Sequence, residues 1–168
     1  MRTGDKTKVA NENRSGERKI MPIANNKKAY HDFFIEETFQ AGIELSGTEV
    51  KSLRAGRCNL KDSYVEISQR QAFLVNMHIS PYEHGNIFNR DPMRKRRLLL
   101  HKYQIDKLSA SAMRNGFTIV PIRAYFCGSH VKIDIALAKG KKLYDKRDSI
   151  AEKDSRREIE RELKSRNR

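Results

Sequence analysis

The sequence predicts a mainly β domain with helices, an OB-like Greek-key β-barrel with flanking helices, followed by a disordered basic C-terminal tail. Three observations predict it. Several short segments alternate between apolar and polar residues, a helical pattern separates the third strand from the fourth, and the last thirty residues have almost nothing to bury. A β core with a helix at that position suggests the OB-like barrel, although the count is not unique to that fold. We expect an arm at 1–26, the barrel at 27–138 and the tail at 139–168.

The first part of the barrel contains an alternating segment and a short helix. Phe39, Ala41, Ile43 and Leu45 alternate with polar or small residues, which predicts a half-buried strand. "SGTEVKSLRAG" then predicts a helix, which Thr48 can cap and Gly56 can end.

A predicted hairpin and a long loop follow. "DSYVEIS" and "AFLVNMHIS" both alternate, and "QRQ" supplies the turn between them. The loop at 81–97 holds two prolines and ends in a basic run. A loop of this length in a compact domain is usually functional or mobile.

One helix and two strands complete the predicted core. "LLLHKYQIDKLSASAMRNG" predicts a helix with Ile105, Leu108 and Met113 facing inward. "FTIVPIRAYFC" contains Pro121, which predicts an edge or bulged strand. "VKIDIALA" alternates cleanly, and "GSH" joins the two strands in a tight turn.

The charge of the chain predicts a polyanionic partner. Its 168 residues include 35 Lys/Arg and 21 Asp/Glu, for a formal net charge of +14. Nucleic acid is the partner that such a charge favours, with an anionic membrane surface as the other candidate. No segment has the roughly 18 consecutive apolar residues that span a bilayer, and the N-terminus lacks an apolar signal region. We therefore expect a cytoplasmic protein with no membrane partner.

No catalytic or metal site is evident in the sequence. The phosphate-binding glycine motifs and the zinc motif HExxH are missing, and the adjacent Glu36 and Glu37 would point to opposite faces of a strand. Cys58 and Cys127 are far apart in sequence and are expected to be reduced core thiols. The histidines show no ligand spacing. We expect no enzymatic activity, no metal and no cofactor.

The tail from residue 139 onward combines high charge with weak helical signals. It holds twelve Lys/Arg and seven Asp/Glu. Pairs such as Glu152 with Arg156 and Glu160 with Lys164 favour a helix, but each contributes only about 0.2–0.5 kcal/mol. The helix is therefore marginal in water, and a partner that supplies phosphates would stabilise it. The alternative is a solvated tail that only aids solubility.

Basic and aromatic residues in the barrel suggest how RNA would be held. The short helix and the segment after it offer Lys51, Arg54, Arg57 and Lys61 as a phosphate-binding patch. The loop supplies Arg94, Arg96 and Arg97, suited to the shape of folded RNA. Phe33 and Tyr64 could stack on bases, or they could belong to the core.

Several long blocks of the sequence resemble one family. "HDFFIEETFQAGIELSGTEVKSLRAGRCNLKDSYV", "AFLVNMHISPYEHGN", "DPMRKRRLLLHKYQIDKL" and "GKKLYDKRDSIAEKD" occur in that order. They are similar to the SmpB family of bacterial SsrA-binding proteins, from about Lys27 to the C-terminus. The resemblance implies an OB-like barrel with a tail that is disordered in solution and helical when bound.

The resemblance also implies a function in ribosome rescue. Members of the family bind the tRNA-like domain of tmRNA and deliver alanyl-tmRNA to stalled ribosomes. Elongation factor Tu is a partner in this delivery, and alanyl-tRNA synthetase is a partner indirectly, through the RNA. The tail is taken to lie in the vacant mRNA path of the small subunit, beyond the decoding centre. The protein itself is not an enzyme.

The resemblance assigns roles to particular positions. For RNA binding, Leu99 matches a tmRNA-binding leucine. Gln40 stands at a position that is commonly Glu in relatives, and His101 at one that is Asn or His. Phe33 stands where Tyr is common. For contact with the ribosome and its decoding centre, the matching residues are His31, Gly140, Lys141, Lys142, Asp145, Lys146 and Arg147.

Two other kinds of protein remain open from the residues alone. A ribosomal structural protein or a general RNA chaperone would also be basic and carry tails. A nuclease would need clustered carboxylates, whereas Asp62, Asp91, Asp106 and Asp134 are scattered along the chain.

Overall fold

The computed structural model describes residues 20–113, 116–142 and 155, and a seven-stranded antiparallel sheet forms its centre. The strands are β1 (Ile20–Asn25), β2 (Phe33–Ile43), β3 (Cys58–Asn59), β4 (Tyr64–Ser68), β5 (Gln71–Val75), β6 (His78–Ile79), β7 (Arg96–Leu99), β8 (Phe117–Cys127) and β9 (His130–Gly140). The helices are α1 (Lys27–Asp32), α2 (Gly47–Arg54) and α3 (Lys102–Ala112), with a 3₁₀ turn at Asn86–Phe88. The order in the large sheet is β1-β8-β9-β2-β7-β5-β4, and β3 pairs with β6.

The large sheet curls so that β4 comes close to β8, and the core lies inside the curl. No ladder joins these two strands in the part of the chain that the structure describes, so the barrel is not closed. The architecture is OB-like, and the predicted fold class is confirmed. The inward face of β9, with Val131, Ile133, Ile135 and Leu137, is buried as its alternation predicts. Pro121 lies where the β8–β9 register shifts, so the predicted bulge is present.

The segment just before the predicted barrel is ordered, which corrects the prediction of disorder for residues 20–26. Ile20–Asn25 pairs with β8 as an edge strand. The buried Asn26 accepts a hydrogen bond from the backbone N–H of Ala29, which caps α1. Its amide also donates to the carbonyl oxygens of Leu60 and Pro121, at 3.2 and 3.0 Å. The strand is mainly apolar, IMPIAN, but it is short, shows no alternation and follows a long polar stretch, so its pattern did not predict a strand. Residues 1–19 lie outside the described residues.

The predicted long helix at 98–116 is also corrected. Its first residues belong to β7, and α3 begins only at Lys102. His101 is the N-cap, and the Gln104 side chain accepts a hydrogen bond from its backbone N–H at 3.0 Å. The N-cap of helix α2 is Ser46, two residues before the predicted cap Thr48. Ser46 and Glu49 form a capping box. In both places the capping pair sets the boundary.

The predicted second strand of the hairpin ends earlier than its alternation suggested. Asn76 has a φ of 60°, so the backbone turns there, and β6 pairs in the small sheet. Within β5 the core positions are Ala72 and Leu74, whereas Phe73 is only half-buried. The turn residues Gln69 and Arg70 both have positive φ, as a tight two-residue hairpin turn requires.

A buried ion cluster joins α2 to the loop and to β7. Arg96 on β7 has 0% side-chain exposure, and its Nε lies 2.8 Å from Glu49 Oε1. Arg94 donates from Nε and Nη2 to the two oxygens of the same carboxylate, at 2.9 and 2.6 Å. Arg96 also donates to the carbonyl oxygens of Met77 and Pro92, at 2.6 and 2.9 Å. One carboxylate thus fixes three chain segments together.

The cluster remains charged at neutral pH. Burial alone would raise the pKa of Glu49, but hydrogen bonds from Arg94 and the Ser46 backbone, with the charge of Arg96, lower it to about 2. Burial lowers the pKa of Arg96 from its ordinary value. Because that ordinary value is above 12, the guanidinium stays protonated.

We expect Glu49→Gln to lower the free energy of unfolding at pH 7 by about 3 kcal/mol, because it leaves two arginines with an uncompensated charge while keeping the cap. The folded pKa of Glu49 is below its unfolded value. Its stabilisation is therefore complete above about pH 4.5 and is lost as the pH falls toward 2.

Urea unfolding between pH 2 and 7 measures this contribution. Glu66→Gln is the matched control, because Glu66 pairs with Lys95 at the surface and should contribute less than about 1 kcal/mol. Equal losses for the two variants would contradict a structural role for the buried cluster.

Candidate RNA-binding surfaces

The outer face of four neighbouring strands forms the first candidate surface, here called the sheet face. Cross-strand register sets Gln40 of β2 opposite Asp134 of β9, and Gly42 opposite both Lys132 of β9 and Leu99 of β7. Since β9 and β7 alternate, Lys132 and Leu99 point away from the core that their neighbours fill. The outward-facing residues of β2, β7 and β9 therefore lie next to one another on the same face of the sheet.

Both ends of the Gln40 side-chain amide are held by hydrogen bonds. Its Oε1 accepts from Lys132 Nζ at 2.6 Å, and its Nε2 donates to the hydroxyl of Tyr125. That hydroxyl donates to Asp134 Oδ1 at 3.0 Å, and Arg123 Nε lies 2.5 Å from Asp134 Oδ2. Burial raises the pKa of Tyr125, as does the bond to Asp134, so the phenol is a stable donor. The polar groups of the sheet face are therefore preorganised.

Apolar and aromatic side chains border this polar network. Leu99 is 54% exposed although it lies in a strand. A Cβ on Gly42 would lie only 3.2 Å from Leu99 Cβ, so the glycine makes room for it. His101 stacks on the exposed Tyr103, with ring centroids 5.7 Å apart and planes at 15°. A shallow pocket lined by Gln40, Leu99, His101, Tyr103 and Lys132 results.

Three predicted RNA-binding residues therefore come together on the sheet face: Gln40, Leu99 and His101. The sequence analysis missed Lys132, Asp134, Tyr125 and Tyr103. The outward half of the β9 alternation was a usable signal for Lys132 and Asp134. Tyr125 had none, because its role depends on a hydroxyl that reaches across two strands.

Helix α2 and the loop after β6 form the second candidate surface, here called the helix face. Lys51 and Arg54 are exposed on α2, as predicted. The Lys51 ammonium lies 5.2 Å from the centre of the Tyr82 ring. Arg57 follows the helix and pairs with Glu83 at 2.6 Å. Lys61 is exposed in the turn before β4, next to Asp62, which pairs with Lys28 of α1.

The prediction of an RNA contact is wrong for Arg96, because a fully buried guanidinium cannot reach a phosphate. Arg94 and Arg96 do not act as free loop cations, since both bind Glu49. Arg97 is exposed on the neighbouring β7 position, and its role in RNA binding stays a prediction.

A third group of residues lies at the far end of β2, where α1 meets the end of β9. His31 Nδ1 lies 2.9 Å from Asp32 Oδ1. The backbone N–H of Lys141 donates to the Asp32 carbonyl at 2.9 Å, and Lys141 Nζ lies 4.9 Å from the centre of the Phe34 ring. Phe33 pairs with Gly140. Residues predicted to contact the ribosome, far apart in sequence, are thus adjacent here.

This arrangement separates Phe33 from the sheet face with which it was grouped. Phe33 packs beside Ala29, Val120 and Ala138 at the α1 end. Gln40 lies seven positions further along β2, about 23 Å away in an extended strand. Strand β9 runs to Gly140, two residues into the predicted tail, and Lys142 is the last residue of the continuous described stretch. Asp145, Lys146 and Arg147 lie outside the described residues.

Other chemistry finds little support in the described ranges. No group of three His, Cys, Asp or Glu side chains there could hold a metal ion. Cys58 and Cys127 are free thiols, and burial raises the pKa of Cys58 to about 11, so it is protonated at neutral pH. Within these ranges no helix has the length and apolar character needed to cross a bilayer.

The fold and the two surfaces define a small OB-like protein that presents cations and exposed rings on a curled sheet, a combination used to bind RNA. The family model described as SmpB protein matches residues 23–165. The chain belongs to the SmpB family, which confirms the resemblance seen in its sequence.

Curated relatives agree over most of their length. A protein named SsrA-binding protein from Clostridium tetani (strain Massachusetts / E88) is 58% identical over 146 residues, 87% of this chain and 94% of the relative. The SsrA-binding protein of Caldanaerobacter subterraneus subsp. tengcongensis is 56% identical over 145 residues, which cover 86% of this chain and 92% of the relative.

A solved structure also matches. Its chain, from work described as "tmRNA-SmpB: a journey to the center of the bacterial ribosome", is 41% identical with a TM-score of 0.64. The match covers 77% of this chain and 94% of the other.

We expect Tyr125→Phe to lower the free energy of unfolding by about 1–2 kcal/mol, because Gln40 and Asp134 both lose the hydroxyl that joins them. Urea unfolding measures the loss. The matched control is Tyr64→Phe, whose hydroxyl lies on an exposed side chain and whose removal should cost less than about 0.5 kcal/mol. A Tyr125 variant as stable as that control would show that the network does not hold the sheet face.

Proposed function

We propose that this protein binds the tRNA-like domain of tmRNA and acts with it in trans-translation on stalled ribosomes. The observation that carries the proposal is the near full-length identity to proteins named SsrA-binding protein. The sheet face supports it, because a cation, an exposed leucine and a stacked ring pair converge there.

The geometry supports a division of labour between the two ends of β2. At one end the sheet face contacts the RNA through Leu99, His101 and Lys132, with Gln40 as the positioned amide. At the other end His31, Gly140 and Lys141 face the decoding centre. The separation along the strand, about 23 Å, lets one domain bind the RNA and the ribosome at once.

The tail extends this second end. Residues 143–168 follow Lys142, which lies beside the His31 group. As a helix they would span roughly 39 Å, enough to run along a vacant mRNA path. We propose that they order there, because rRNA phosphates supply the stabilisation that the tail sequence lacks alone. Lys142, Asp145, Lys146 and Arg147 are the residues nearest the decoding centre.

The remaining partners follow from the RNA. Elongation factor Tu would deliver the charged tmRNA, and alanyl-tRNA synthetase would act on the RNA and not on this protein. The protein itself would catalyse no reaction and would work in the cytoplasm.

Purifying the protein from its cells and sequencing the RNA that accompanies it tests the function directly. We expect tmRNA to dominate, and a preference for a tRNA-like fold over unstructured RNA at physiological salt. Equal binding of all RNAs would favour the ribosomal-protein or chaperone alternative. Cleavage of RNA in the presence of magnesium would favour the nuclease.

We expect Lys132→Met to weaken binding to a tRNA-like transcript and to flatten its salt dependence by roughly one unit, because one phosphate contact is lost while the aliphatic stem is kept. Lys28→Met is the control, since Lys28 is also exposed and paired but lies on α1. Titrations at several salt concentrations give the slope. An unchanged slope for Lys132→Met would remove this lysine from the interface.

Replacing Asp145, Lys146 and Arg147 together with Ala should leave affinity for tmRNA nearly intact and abolish peptide tagging in a reconstituted translation reaction. The reason is that these residues would act on the ribosome after the RNA is bound. A collapse of tmRNA affinity in this variant would contradict the division of labour.

A further inference from the structure

The loop between β6 and β7 contains a built turn that holds its own tip in place. The side chain of Asn89 accepts from the backbone N–H of Tyr82 at 3.0 Å and donates to its carbonyl at 2.9 Å. Gly85 is buried beneath this bridge, and a Cβ there would lie 2.4 Å from Asn89 Oδ1. The turn is therefore specified by its sequence, with an asparagine bridge and a glycine that leaves it room.

This turn exposes two large apolar side chains. Ile87 is 88% exposed and Phe88 is 74% exposed, both on the 3₁₀ turn. The Phe88 carbonyl accepts from Thr48 Oγ1 at 3.1 Å, which attaches the tip to the first turn of α2. Adjacent exposed apolar residues on a bridged and anchored turn indicate a contact with a partner.

The surroundings of the tip favour RNA as that partner. Thr48 and Lys51 lie three residues apart on α2 and both contact the loop, at Phe88 and at Tyr82. Lys51 begins a strip of exposed cations that continues through Arg54 to Arg57. On this strip and the adjoining loop, four exposed cations outnumber two exposed carboxylates: Lys51, Arg54, Arg57 and Arg90 against Glu83 and Asp91. Exposed aromatic rings among cations are the arrangement that stacks on unpaired bases while neighbouring phosphates are held.

We propose that Phe88 stacks on an unpaired nucleobase of the bound RNA, with Ile87 beside it and the α2 cations on the flanking phosphates. This deepens the proposed function and rests on it. It adds a second RNA contact at the helix face, made by two residues that carry no charge.

The chain has no tryptophan, so Phe88→Trp places a single indole fluorophore at the tip. On titration with a transcript of the tRNA-like domain of tmRNA, we expect the emission of this indole to be quenched as the complex forms. Met113→Trp is the matched control. Met113 was predicted to face inward, but it is 82% exposed at the C-cap of α3, at the opposite end of that helix from His101. Its emission should not change.

Phe88→Ala should weaken binding of the same transcript about tenfold without changing the salt slope, since a stacking contact releases no counterions. Thermal unfolding should be unaltered, because the removed ring is largely exposed. Unchanged affinity for Phe88→Ala, or unquenched emission from the Phe88→Trp variant while the transcript binds tightly, overturns the stacking and assigns the tip to a protein partner. Failure of the wild-type protein to bind the transcript overturns the proposed function as well.

Discussion

The buried carboxylate of Glu49 is the constraint on which both the sheet face and the helix face depend. It lies on α2 and binds Arg94 and Arg96, so it ties the helix to the end of the loop and to β7. The helix face consists of that helix and that loop. The sheet face uses the outward residues of β7, whose orientation follows from Arg96 pointing inward. Because a buried charge without its partner is costly, the three segments are expected to move together or not at all.

Strand β2 is the second organising element, because its length separates the sheet face from the group around His31. Its Gln40 end joins the sheet face, and its Phe33 end lies beside α1 and Gly140. Gln40 itself is neutral, yet a carboxylate lies in the same network. Asp134 lies directly opposite Gln40 and is joined to it through the Tyr125 hydroxyl. The negative charge of the network is therefore on β9, while the Gln40 amide both donates and accepts.

Much of the core could be predicted, since alternation along β2 and β9 identifies the buried positions without knowledge of their partners. The errors share one physical cause. β1 is held by backbone pairing and by the buried Asn26, and its short apolar run lacks the alternation that would have indicated a strand. The run that contains Leu98, Leu99 and Leu100 suggested helix, but pairing with β2 and β5 places its first part in a strand. Local apolar content cannot distinguish these outcomes.

The sequence by itself determined the charge that favours RNA, the inward faces of the long strands and the family resemblance, because these depend on residue type and local spacing. Only the tertiary structure decided which cations are exposed and which are buried. Arg96 and Arg97 are neighbours in one basic run, yet pleating buries the first against Glu49 and exposes the second. It alone brought Lys141 to Asp32, the neighbour of His31, and Gln40 to Lys132, since cross-strand register joins residues that are far apart in the chain.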